Sequence, residues 1–261
     1  MKALCFTVDL DRDANIPIPG KAAAGSFDRG DGAEPRFESS EKGLGTLLDI
    51  LSGMGARATF FAEGRTLEMI SSKGLSKHEV GVHGYDHEDL TSLSGHDLRV
   101  CMGRAVGSVC RTIGRRPVSF RAPYMKIDDK VLEALPEFGI RCDSSMYAPL
   151  SESPMPRRLP CGVTEIPVPE GSDPSGKKIA AYLWPMHEGK RRPEEYVRMA
   201  AAVKEGVFVL ATHTWHMAES LNGGIMDPNA VRRNAEDVQK VIEEVIGLGF
   251  EPMTVSEACV K

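Results

Sequence analysis

The sequence predicts an α/β fold built on parallel strands, and three observations point to it. Apolar runs of strand length alternate with stretches of helical period along most of the 261 residues. Each unit is long enough to hold a crossover helix, the connection that parallel pairing requires. Ionisable residues recur at the ends of successive apolar runs, and in a parallel barrel all such ends open onto one face.

"ALCFTV" is continuously apolar, as a strand covered on both faces should be, and "EKGLGTLLDILSGMG" is an amphipathic helix closed by glycine. "RATFFA" reads as the next strand, residues 65–73 as a short helix, and "EVGVHG" as a strand that runs into a histidine pair. "SGHDLRVCMGRAVGSVCRTIG" places Leu98, Met102, Ala105, Val109 and Ile113 at helical spacing behind Ser94, a suitable cap. "PVSFRAPY" (strand), "DDKVLEALPEFG" (helix) and "IRCDSS" (strand) continue the alternation. It resumes with "KIAAYLW", a helix around "PEEYVRMAAAVKEG", the strand "VFVLATH", the long helix "PNAVRRNAEDVQKVIEEVIGLG" and finally "FEPMTV". Residues 12–40 and 145–177 are irregular, and loops of that length in an α/β domain are usually lids or binding loops. The first leaves from Asp11 at a strand end, so it is expected over the site mouth, with Phe27, Asp28 and Arg29 as substrate contacts. With no linker and no repeat in view, residues 1–261 are expected to form one catalytic domain.

The net charge of −5 is mild and the basic residues are not gathered, which argues against nucleic acid or an acidic membrane surface as partner. The opening "MKALCFTVDLDRD" meets carboxylates too early for a secretory leader, and no stretch has transmembrane length, so a cytoplasmic protein is expected. The six scattered cysteines form no CxxC and read as buried thiols. Homo-oligomerisation is left open.

The polar residues at the strand ends carry the chemistry. Asp9 and Asp11 end the first strand, His83 ends "EVGVHG", Arg121 ends "PVSF", Asp143 ends "IRC" and His213 ends "VFVLAT". His83, His87 and one aspartate of "TVDLD" would give a His2Asp set with a position left for water. Two residues apart on a strand, Asp9 and Asp11 point the same way, so one can hold the metal while the other serves as general base. His213 can protonate a leaving amine, with His216 a rival three residues on. Arg121 can orient a carboxylate, and Asp143 can orient a histidine or that arginine. Taken singly, each has an ordinary reading: a solvated histidine pair, turn aspartates, a structural ion pair, a core histidine at 213; His78, His96 and His187 read as structural or exposed. Gathered on five strand ends, they read as a metal site.

The ordered motifs "FTVDLD", "ATFFAEG", "HEVGVHGYDHEDL", "FRAPY" and "LATHTWH", spread over residues 4 to about 254, resemble the polysaccharide deacetylase family, also called NodB-homology or carbohydrate esterase family 4. The resemblance implies a distorted (β/α) barrel with seven or eight parallel strands. It makes Asp9 the base held by Arg121, Asp11, His83 and His87 the ligands, His213 the acid, the Tyr124 backbone N–H an oxyanion donor, and Leu210 a wall of the acyl pocket. One divalent ion is implied, zinc first, with cobalt, nickel, iron or manganese as alternatives.

Leu10 separates aspartates that are adjacent in the secreted members, Gly84 stands where serine or threonine is usual, and no aromatic occupies residues 144 to 146. These features are similar to the intracellular branch with allantoinase-like and cyclic-imide hydrolases. The expected function is hydrolysis of a non-peptide C–N bond, foremost deacetylation of an N-acetylated sugar or related small amide. Ring-opening of a cyclic imide or ureide is the alternative, and a silent binding protein on the same scaffold the third reading.

Overall fold

The computed structural model describes residues 2–13, 35–221 and 224–260. Its centre is β1 (Lys2–Leu10), buried from Ala3 onward because neighbours cover both faces. The elements then follow in order: α1 (Glu38–Gly53), β2 (Thr59–Ala62), α2 (Gly64–Met69), β3 (Glu79–Val82), α3 (Gly95–Ile113), β4 (Ser119–Phe120), α4 (Asp129–Ala134) and β5 (Cys142–Asp143). The middle of the chain supplies β6 (Tyr147–Pro149), β7 (Arg157–Arg158), β8 (Thr164–Glu165), β9 (Val168–Ser172), β10 (Lys178–Ala180), α5 (Trp184–His187) and α6 (Pro193–Ala202). The last part holds β11 (Gly206–His213), β12 (Glu219–Ser220), β13 (Gly224–Ile225), α7 (Pro228–Gly247), β14 (Glu251–Pro252) and α8 (Val255–Cys259).

The main sheet runs β11-β1-β2-β3-β4-β5-β8-β7. Every pairing is parallel from β11 to β8, which makes seven parallel strands, and only the edge strand β7 is antiparallel. β14 fills the start of one side of β1, opposite Ala3 and Leu4, before β2 takes over at Thr7. The sheet curls into a half-barrel with α1, α3 and α7 against its outer face, and their apolar stripes (Leu44, Leu47 and Leu51; Leu98, Met102 and Val109; Val238, Val241 and Val245) merge into one core.

Capping follows the sequence closely. Ser94 accepts from the Asp97 N–H at the start of α3, Asp227 caps α7, and Asp13 reaches across to accept from Ser39 and Ser40 in the first turn of α1. The Asp13 N–H donates to the Arg36 carbonyl at 2.9 Å, so the described ends of the 12–40 segment meet where β1 ends. Phe27, Asp28 and Arg29 lie outside the described residues.

Several expectations need correction. Residues 145–177 are not one irregular loop, because they hold β6 to β9. "KIAAYLW" does not join the barrel as a full strand: β10 pairs antiparallel with β9 in a small separate sheet, and Tyr182 alone bridges to Ala211 of β11. The helix of residues 65–73 stops at Met69, where Ile70 turns extended. Pro136 divides "DDKVLEALPEFG" into α4 and a 3-10 turn, since it cannot donate within the helix. The six thiols are free, and among the described residues no helix is long and apolar enough to cross a membrane.

Candidate metal centre and its surroundings

Asp9 and Asp11 leave the C-terminal end of β1 on the same side, as their spacing requires. His83 follows β3, and the next residues turn sharply: Gly84 has φ 70° and His87 φ 55°. A Cβ at Gly84 would stand 3.1 Å from the Glu88 carboxylate and 3.2 Å from Pro123, a tight fit at a backbone angle that favours glycine. The loop is tied from both sides. Glu88 accepts from the Tyr85 and Asp86 N–H groups, while the N–H groups of Gly64 and Arg65 donate to the Gly84 and Tyr85 carbonyls. Arg12 grips Glu63 and Asp86 together and so fastens the loop to the end of β1.

Asp11, His83 and His87 are all buried, and one ligating atom from each lies within 4.8 Å of the others. His87 Nε2 is 3.3 Å from Asp11 Oδ2. His83 Nδ1 donates to the Arg121 carbonyl at 2.8 Å, which leaves the lone pair of Nε2 for the site. Two imidazole nitrogens and a carboxylate oxygen, pre-oriented and shielded from water, fit a borderline divalent cation.

Beside this cluster, Asp9 is held by its partners. The fully buried Arg121 guanidinium donates from Nη1 to Asp9 Oδ1 at 3.0 Å and to Thr7 Oγ1 at 2.9 Å. Its Nε and Nη2 donate to the Ser144 carbonyl and hydroxyl, and the plane lies 4.5 Å over the Phe61 ring. Burial pushes the Asp9 carboxyl up, but Arg121, then His83 and His213, outweigh it and hold it below the usual carboxylate value.

Asp143 does not orient Arg121 or a histidine through a hydrogen bond, contrary to expectation: the following residue, Ser144, takes Arg121. Asp143 instead accepts from Ser145 Oγ and faces Glu165 across the β5–β8 pairing. Burial drives both carboxyls upward, and at Glu165 the neighbouring Asp143 adds to it. Ser145 Oγ in turn accepts from the Ala122 N–H at 2.8 Å, directly before the Pro123–Met125 turn. Tyr124 (φ 61°) rests edge-on against the His87 ring at 4.5 Å, and the next two N–H groups, of Met125 and Lys126, are spent on Ala122 and Pro123 carbonyls.

His213 is the register partner of Asp9 across β11 and β1, and it is half-buried at the site. His216 is fully buried behind it, with Nε2 on the Glu188 carboxylate at 2.8 Å and its ring stacked on Trp215. His187, expected to be structural, is buried beside His216 and bonded to Thr212. Sequence reasoning missed Tyr182. Its phenol donates to Asp9 Oδ2 and lies 3.2 Å from His213 Nε2, and burial beside Asp9 pushes it well above its ordinary pKa. The only signal was a polar-tipped aromatic at the end of "KIAAYLW". Next to it opens a cavity of about 360 Å³ lined by Tyr147, Tyr182, Trp184, Glu170, Lys178 and Arg191. Tyr147 is an aromatic one place beyond the 144–146 window.

Residues 16–142 match the family model described as polysaccharide deacetylase. A peptidoglycan deacetylase-like protein of Gibberella zeae is 33% identical over 110 residues, 40% of this chain and 32% of that protein. The peptidoglycan deacetylase of Helicobacter pylori is 25% identical over 147 residues, 55% of this chain and 49% of its own length. The chain thus spans between about a third and a half of these curated relatives. The crystal structure of a candidate polysaccharide deacetylase from Mycobacterium smegmatis superposes with a TM-score of 0.68 over 99% of this chain and 89% of that one, at 21% identity, a likeness of fold.

Proposed function

We propose that this chain, which belongs to the polysaccharide deacetylase superfamily, hydrolyses the amide of an N-acetylated sugar to release acetate. The observation that carries the reading is the buried Asp11–His83–His87 donor set standing beside an Arg121-held Asp9, with His213 at the adjoining strand end. A divalent ion held by those three ligands, zinc first, would supply Lewis-acid polarisation and lower the pKa of water to about 7.

The other roles belong to the chain. Asp9, kept ionised by Arg121, accepts a proton from the attacking water. The Tyr124 backbone N–H, on the turn against His87, donates to the developing oxyanion. His213 protonates the departing nitrogen, which is too basic to leave as an anion. The aromatic cavity beside Tyr182 supports a sugar as the body attached to the amide, because ring faces offer flat apolar surface and Glu170 and Lys178 offer polar contacts.

The reading is tested by loading purified protein with zinc, cobalt, nickel, iron or manganese and incubating it with N-acetylglucosamine oligomers and, separately, with cyclic imides. Acetate released from the sugars, abolished in Asp9→Asn, is the expected result. A new carboxylate from the imides with no acetate from the sugars would overturn it.

A further inference from the structure

We infer that Cys142 and Cys259 form a peroxide-sensitive thiol pair, oxidised to an intramolecular disulfide that ties α8 to β5. Three contacts fix the Cys259 sulfur over β5. It lies 3.7 Å from the carbonyl oxygen of Arg141, and it is hydrogen-bonded to the Cys142 thiol and to Thr164. These three groups are themselves one patch of the sheet. Thr164 is the register partner of Cys142 across β5 and β8, and its N–H donates to the same Arg141 carbonyl at 2.8 Å. Cys142 and Asp143 point to opposite faces of β5, so the thiols meet under α8 and not at the metal centre.

The two thiols differ in the way that stepwise oxidation requires. Cys259 is half-buried, and the hydrogen bond from Cys142 outweighs burial to hold it below its ordinary value, with Thr164, Arg141 and Arg158 adding to the effect. It is the thiolate of the pair, and the thiolate is the nucleophile. Cys142, 3% exposed, is pushed up by the same hydrogen bond and by burial, and it keeps its proton. Attack of the Cys259 thiolate on hydrogen peroxide forms an S–O bond, breaks O–O and releases hydroxide, which solvent protonates to water. Cys142 then attacks the sulfenic sulfur: S–S forms, S–O breaks, and the departing hydroxide takes the Cys142 proton as a second water. The two sulfurs lose two electrons and the peroxide gains them. Cys5 and Cys101 are buried, and burial pushes both up, so they stay thiols. The new bond closes the chain from 142 to 259, and a loop of that length removes much of the freedom of the unfolded chain.

The reduced protein is treated with hydrogen peroxide, its remaining thiols are blocked with iodoacetamide in denaturant, and the unreduced peptides are read by mass spectrometry. A Cys142–Cys259 linked peptide should dominate, with the other four cysteines alkylated. A disulfide through another cysteine, or no link at all, would overturn the pairing. Two variants read the order of the steps. Cys142→Ser should still oxidise at Cys259 and give a dimedone adduct there, while Cys259→Ser should slow oxidation of Cys142 at least about tenfold. Oxidation of Cys142 at an unchanged rate in Cys259→Ser would make Cys142 the first nucleophile and overturn the assignment. Should Cys142→Ser not fold, the wild type answers by itself: its thermal midpoint should rise by about 5 °C or more on oxidation and fall back with dithiothreitol. A midpoint that stays or drops would show that the native fold does not accept the bond.

Discussion

Arg121 and Asp9 meet at 3.0 Å with neither side chain open to water, and the arginine is anchored by Ser144 and Thr7 at its other donors. The pair came together because β1 and β4 end on one face, and its energetics are those of a buried ion pair, costly to break from one side. Arg121→Met should therefore destabilise the fold by about 3–5 kcal/mol at neutral pH. The loss has a defined sign with pH. In the wild type, Asp9 is held low and adds stability above its unfolded value, lost as pH falls through the folded one. Without Arg121, burial alone raises it, so the variant's deficit should shrink towards pH 4. Urea denaturation at pH 7 and pH 4 measures this, and an equal deficit at both would refute it.

His87→Ala should strip the metal without unfolding the protein. His87 sits in a loop already fastened by Glu88, Arg12 and the N-terminus of α2, so its replacement deletes a ligand while those contacts hold the turn. Elemental analysis should find at most a small fraction of the wild-type content, with the thermal midpoint of the metal-free protein unchanged within a few degrees. Full occupancy in the variant would show that other groups hold the ion.

His213 and His216 should divide activity and stability between them. His213→Ala removes the half-buried residue at the Asp9 end of β11 and should lower turnover at least about a hundredfold with little loss of stability. His216→Ala should do the opposite, because the fully buried ring fills the space between Trp215 and His187 and satisfies Glu188. A cost of about 2–4 kcal/mol is reasonable for the cavity and the lost bond. The reverse ranking in activity would make His216 the acid.

What the sequence disclosed and what it hid have a common physical cause. Asp9, Asp11, His83, Arg121 and His213 were legible because strand period and strand ends are local properties, and parallel pairing then brings them to one face without further information. Asp143 was placed on the correct strand end but given the wrong partner, since nothing local reveals that Glu165 lies opposite it on β8. Ser144 and Ser145, which hold Arg121 and the Ala122 N–H, carry no sign of those roles in the strand "IRCDSS". Tyr182 was hidden because a single Tyr182–Ala211 bridge, 29 positions apart in sequence, decides where its phenol points. Pairing partners far along the chain are set by tertiary packing, which periodicity does not encode.

Glu165→Gln should make the protein more stable at neutral pH and nearly neutral in effect at pH 4. Burial and the facing Asp143 raise the Glu165 pKa, so the folded state holds a proton that the unfolded chain releases above its carboxylate value of about 4.3. Stability from such a raised group is complete below that value and is lost as pH rises. Glutamine keeps an acceptor for the Met146 N–H, which Glu165 Oε1 now binds at 3.0 Å, and titrates nowhere. Denaturation midpoints for the two proteins should diverge progressively from pH 4 to pH 8. Parallel curves would mean that Glu165 is not raised in the folded protein.

Gly43 and Gly45 lie two residues apart in α1, yet replacing each by alanine should have opposite effects. In an exposed helix interior alanine is favoured over glycine by about 1 kcal/mol, because glycine loses more backbone freedom on folding. At Gly45 a Cβ meets nothing within 4 Å, so Gly45→Ala should realise most of that gain. At Gly43 the same Cβ would fall 1.9 Å from the Thr214 carbonyl oxygen and 2.8 Å from its carbon, and both are backbone atoms with no rotamer to change. The clash far exceeds the propensity gain, so either α1 or the Thr214–Met217 turn must move. That turn is bound to the site: the Thr214 N–H donates to the Asp9 carbonyl at 3.0 Å, and Thr214 directly follows His213. Gly43→Ala should accordingly lower stability by about 1–3 kcal/mol and lower turnover as well, though residue 43 touches no reacting group. Thermal melts and acetate release on both variants decide it. A stabilised, fully active Gly43→Ala protein would mean that α1 does not set the position of the His213 segment.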